Sequence, residues 1–129
     1  MASLFNFRTR SPNRDRQTDE LRFQQLFRCL DQITAEIEAE SAGIRNRYET
    51  VSANAAFLAD AMDNDAAPSR QAGDIDRLTD AIKACHRRIG ALGAQSAFVD
   101  RLRHLVDTFV AEGRRAAEEP PAGETPGRR

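Results

Sequence analysis

Tryptophan is missing from this sequence and tyrosine occurs once, so seven phenylalanines are nearly the whole aromatic content of 129 residues. Leu, Ile, Val and Ala must therefore do most of the packing. Cysteine is scarce as well. Cys29 and Cys85 form no C-x-x-C pair, and two cysteines cannot make a disulfide framework. Both fall among apolar positions of a helical pattern, which predicts free, buried, reduced thiols and a cytoplasmic protein. No apolar run approaches the ~18 residues of a membrane span. Leu4, Phe5 and Phe7 are too few for the apolar region of a secretory signal.

Chemistry-bearing motifs are also lacking. The sequence holds no P-loop, no G-x-G-x-x-G and no H-E-x-x-H. Glu36, Glu38 and Glu40 alternate, so a helix spreads them around its circumference. A di-iron bundle needs Glu-x-x-His elements, but Lys83 and Arg101 stand three residues before His86 and His104. The expectation is a protein that is not an enzyme, with no cofactor and no metal site.

Net charge is nearly absent, at -1 from 19 basic and 20 acidic side chains. Nucleic-acid binders carry a basic excess, so the overall balance argues against nucleic acid. Such a contact would run through Arg70, Arg77, Lys83, Arg87, Arg88, Arg101 and Arg103, several of which could line one side of the second helix, but the acidic body works against them. The charge is unevenly spread. Residues 1–17 carry a net of +3, residues 18–110 hold 11 basic against 15 acidic side chains, and the remainder balances.

Two long periodic stretches dominate what is present. Phe23, Leu26, Leu30, Ile33 and Ile37 follow one another at steps of three and four, and Ile44, Tyr48, Val51, Ala55, Leu58 and Met62 continue them. Joining the two sets takes two successive steps of four, Ile37 to Ser41 being the second, which predicts one stutter in a heptad-like repeat. Thr18 reads as the N-cap, with Asp19 and Glu20 in the first turn. A helix of about 45 residues would run ~68 Å, with a kink at Gly43 as the alternative. The break follows at residues 63–70, DNDAAPSR, where Pro68 cannot sit inside a helix. Asp74 is a candidate cap for the second helix, and Ser69 an earlier one.

The second helix reads Ile75, Leu78, Ile82, Cys85, Ile89 and Leu92, then Val99, Val106 and Val110, with Ser96 and Arg103 as defects. Phe98, Leu102, Leu105 and Phe109 widen its apolar face. Gly90 and Gly93 cost about 1 kcal/mol each in a helix interior and mark a possible bend or break at 90–95.

The predicted organisation is all-α. A flexible basic arm covers 1–17, a helical hairpin domain covers 18–112, and a disordered tail covers 113–129. Within the domain, one helix spans about 18–62, a loop about 63–71, and a second helix about 72–112. The hairpin is antiparallel and coiled-coil-like. Surplus apolar surface, with Phe27 and Phe57 off the strict seam, predicts pairing into a four-helix assembly; a three-helix bundle split at Gly90–Gly93 is the alternative.

One segment resembles a known family. Residues 86–94, HRRIGALGA, carry a histidine followed four residues later by glycine, as in histidine-phosphotransfer domains. The resemblance implies a helical bundle in which His86 accepts a phosphoryl group while Gly90 and Gly93 let a response-regulator domain approach. The family usually has lysine directly before the glycine, where this chain has Ile89.

The functional expectation is a structural or adaptor protein that works through self-association and contacts with a protein partner. A phosphotransfer module using His86 is one alternative, and an oligomer loosely associated with a membrane surface or nucleic acid is another. Leu4, Phe5 and Phe7 beside Arg8 and Arg10 would make the membrane or partner contact, placing the protein at the periphery of a membrane.

Overall fold

The computed structural model describes residues 11–63 and 68–118, the side chains of 68–71 excepted. Both stretches are helical. Helix α1 runs Pro12–Asp63 and helix α2 runs Pro68–Glu118, and the two pack against each other as a hairpin. The chain divides into two compact units. The terminal unit is Met1–Asp31 with Asp100–Arg129, and the central unit is Gln32–Val99.

Both helices are longer than their periodicity predicts, for local reasons. Helix α1 starts at Pro12, not Thr18. Proline suits the first helical position, where its missing N–H would have no partner and its fixed φ is already helical. Ser11 precedes it, and the Ser11 carbonyl accepts the Asp15 N–H at 3.1 Å. Thr18 is no cap: its hydroxyl donates back to the Arg14 carbonyl at 2.9 Å, as a threonine inside a helix does. Helix α2 also begins on a proline, Pro68, ahead of both Ser69 and Asp74. At its far end it continues past residue 112 to Glu118, because Arg114, Arg115, Ala116 and Ala117 are good helix formers. The arm's contact residues Leu4, Phe5, Phe7, Arg8 and Arg10 lie outside the described residues, as do 64–67 of the loop and 119–129 of the tail.

Neither Gly43 nor the Gly90–Gly93 pair interrupts its helix. All described glycines keep ordinary negative φ, and a Cβ on any of them would meet nothing within 4 Å. With α2 unbroken through residues 90–95 there is no third helix among the described residues, and the split at Gly90–Gly93 that a three-helix bundle requires does not occur.

The seam differs from expectation in one respect. In the central unit, α1 shields Thr34, Ile37, Ser41, Ile44, Tyr48, Val51, Ala55, Leu58 and Met62, at alternating steps of three and four. Helix α2 shields Ile75, Leu78, Ile82, Cys85, Ile89, Leu92 and Val99 there. Ile37, Cys85, Leu92 and Val99 are buried, Leu92 to 1% exposure. In the terminal unit, Leu30 is buried and Phe23, Phe27, Leu102, Val106 and Val110 are half-buried. The α1 positions Phe23, Phe27, Leu30, Thr34, Ile37 and Ser41 keep one unbroken register, so the expected stutter does not occur. Leu26 and Ile33, expected in the seam, are 40% and 37% exposed. A seam that follows a partner must hold a mean period of 3.5. Phe27, Thr34 and Ser41 fall in one seven-residue register with Tyr48 and Ala55, whereas Leu26 and Ile33 stand one position out of it. Continuity of packing prevails even though it puts two hydroxyl side chains in the row.

Candidate interaction surface

The heptad register sorts the remaining side chains by flank. In the central unit, Glu40 and Arg88 occupy the positions just before the seam residues Ser41 and Ile89. Arg88 donates from Nε and NH2 to the two Glu40 carboxylate oxygens at 2.8 and 2.9 Å, a bidentate pair. These hydrogen bonds hold the Glu40 carboxyl below the usual carboxylate range and raise the Arg88 guanidinium. The pair also reports geometry: residues one before a seam position on each helix share a flank.

The equivalent flank of the terminal unit is apolar. Leu26 precedes Phe27, and Leu102 and Phe109 precede the seam positions Arg103 and Val110. Leu105 continues the same flank one row outward. Leu105 and Phe109 are 66% and 61% exposed. The Phe109 ring nevertheless sits 5.5 Å from Phe23, tilted at 44°. Cys85 is a free thiol buried in the central unit as expected, but Cys29, also free, is exposed on this flank instead of buried, because the α1 seam runs through Phe27 and Leu30 on either side of it.

Arg103, a defect in the apolar pattern, is accommodated inside the seam row. Its guanidinium donates to Asp31 and lies 5.7 Å from the centre of the Phe27 ring. The stem is half-buried while the charged head finds a carboxylate and an aromatic face. The hydrogen bond to Asp31 is the main reason its pKa is raised.

An open groove of about 680 Å³ lies between the start of α1 and the end of α2, within the terminal unit. Phe23, Phe27, Phe109 and Val110 form its apolar part, and Gly113 and Ala117 leave it unfilled. Charged residues line it as well: Asp15, Asp19 and Glu20, with Arg16 and Arg114. A smaller cleft of about 390 Å³ in the central unit is bordered by Asn54, Phe57, Leu58, Asp74, Arg77 and Leu78.

His86 is exposed, and its ring meets Tyr48 edge-on with centroids 4.7 Å apart. Gly90 and Gly93 follow at one and two turns on the same face, both exposed. Lys83 stands one turn before His86 on that face and is exposed too. Of the basic residues considered for nucleic acid, Arg77, Arg88 and Arg103 are paired with Asp74, Glu40 and Asp31, and Arg70's side chain lies outside the described residues. Among the described residues no three His, Cys, Asp or Glu side chains converge as a metal site, and no helix is long and apolar enough to cross a membrane.

The sequence signals the flank through Phe98, Leu102, Leu105 and Phe109, whereas its sign of the groove is fainter, resting on small residues at seam positions of a helix end. Gly113 and Ala117 stand three and seven residues after Val110, and their spacing would have marked a seam without filling. No protein-family model, curated protein or solved structure matches this chain.

Proposed function

We propose that this protein is a non-enzymatic structural or adaptor protein, acting through helix-mediated self-association and contact with protein partners in the cytoplasm. The observation that carries the reading is the exposed apolar flank of the terminal unit, Leu26, Leu105 and Phe109, beside half-buried Leu102. A hairpin of two helices buries one seam, and the core here is thin: Leu30, Ile37, Cys85, Leu92 and Val99. Two hairpins pairing on their apolar flanks make a four-helix assembly and remove that surface from water. The free thiols Cys29 and Cys85 support a reducing compartment.

Absolute mass by light scattering after size exclusion, over a tenfold concentration range, tests this. A constant dimer that becomes a monomer in Leu105→Glu is the expected result. A strict monomer throughout the range sinks the assembly.

The second reading is a phosphotransfer module, favoured by the exposed face that joins Lys83, His86, Gly90 and Gly93. It requires that His86→Gln abolish phosphoryl acceptance from an aspartyl phosphate donor. Equal labelling of the variant and the unaltered protein, or of neither, eliminates it.

A further inference from the structure

We propose that the groove at the helix ends receives the chain's own N-terminal segment, with Leu4, Phe5 and Phe7 laid against Phe23, Phe27 and Phe109. The groove has an aromatic floor, and nothing among the described residues covers it: Phe109 is 61% exposed although it lies within 5.5 Å of Phe23. Gly113 and Ala117, where larger side chains would close the seam, leave about 680 Å³ between the helices. That is within the size range of a site for a small ligand or a few side chains.

Beyond the described residues, only the N-terminal stretch has the side chains to fill it. Residues 64–67 read NDAA and residues 119–129 read EPPAGETPGRR, without a large apolar side chain in either. Residues 1–10 contain Leu4, Phe5 and Phe7 within four positions. This segment also joins the structure at the right place, because Pro12, the first residue of α1, itself lines the groove.

The reach is sufficient. Phe23 lies eleven residues into α1 from Pro12, about 16 Å along the axis. An extended chain covers about 3.3 Å per residue, so running back from Ser11 it reaches Phe7 in about 13 Å and Phe5 in about 20 Å. An extended segment is therefore long enough to run alongside α1 with its aromatic residues level with Phe23. Arg8 and Arg10 then run past a rim that carries three carboxylates, Asp15, Asp19 and Glu20, against two guanidinium groups, Arg16 and Arg114. The complementarity is modest and sets direction more than affinity.

Because the protein has no tryptophan, the full-length Phe5→Trp variant carries a single reporter. Its emission is expected to be blue-shifted, and its quenching by acrylamide several-fold weaker, compared with a free peptide of residues 1–11 bearing the same change. Both effects should persist on tenfold dilution. They should disappear when Gly113→Leu is added, a change whose Cβ meets no neighbour but whose side chain fills the groove. Circular dichroism checks that the hairpin survives, and Ala117→Leu, four residues on, replaces Gly113→Leu if it does not. Emission like that of the free peptide overturns the proposal. So does a blue shift that vanishes on dilution, which would place the segment in a second copy, or one that survives filling of the groove. Leu105 does not line the groove, so Leu105→Glu breaks flank pairing while leaving this signal in place, and the two readings fail separately.

Discussion

The two units use the same helical register with different side chains, and the difference shows what closes a seam. In the central unit the row is mostly aliphatic, and four of its members, Ile37, Cys85, Leu92 and Val99, are buried. In the terminal unit Leu30 alone is buried among the described residues. Its other seam positions hold Phe23, Phe27, Arg103, Val106, Val110, Gly113 and Ala117, and toward the helix ends they leave a groove lined with aromatic rings. Branched aliphatic side chains of similar size interlock at ordinary helix separation. Rings alternating with an arginine and two small residues fill the space unevenly, and the surplus ring surface is left at the edge. The central unit therefore holds the hairpin together, while the terminal unit leaves apolar surface open, which is what the proposed contacts use.

The largest effect that would test this contrast comes from truncating one side chain in each unit. Leu92→Ala removes the most completely buried side chain and should cost about 2–4 kcal/mol. Phe109→Ala removes a larger but mostly exposed one and should cost under about 1 kcal/mol. Urea denaturation at a fixed protein concentration measures both, and equal losses would erase the distinction between a holding unit and a binding unit.

A smaller effect, of opposite sign, is expected at Gly90. Its backbone is helical and an added Cβ meets nothing within 4 Å. Gly90→Ala should raise stability by about 0.5–1 kcal/mol. A loss in the same denaturation assay would mean that the backbone at this point is not the unbroken helix described.

The smallest effect belongs to the flank pair of the central unit. The Arg88 hydrogen bonds lower the Glu40 pKa, so folding favours the ionised carboxylate. The pair's contribution is complete above the carboxylate's unfolded value and is lost as pH falls through the depressed folded value. The difference in denaturation midpoint between the unaltered protein and Glu40→Gln should be constant near neutrality and shrink in acid. It should also be modest, because both side chains are exposed. A difference that grows as the solution is acidified would contradict the assigned sign.

Much of this was legible before any coordinates. The 3-4 spacing from Phe23 to Met62 and from Ile75 to Val110 predicts two long helices, and the stretch around Pro68 predicts the break between them. The exposed stripe of Phe98, Leu105 and Phe109 follows from apolar residues in excess of one seam. The limits of legibility were particular. Pro12 and Pro68 are compatible both with a break and with a first helical turn, and the residues on either side of each do not decide between these.

The sequence by itself determined that this is an all-helical chain of two long amphipathic segments, because apolar periodicity and the position of proline are local properties. Which row faces the partner helix was a tertiary decision. Leu26 and Phe27 are adjacent apolar residues, and either can begin a 3-4 pattern. Only packing against α2 over its whole length selects the row that stays in register, Phe27, Thr34 and Ser41, and turns Leu26 and Ile33 outward. The placement of Arg103 was decided in the same way, since the carboxylate of Asp31 and the ring of Phe27 that accommodate it lie 72 and 76 residues away in the chain.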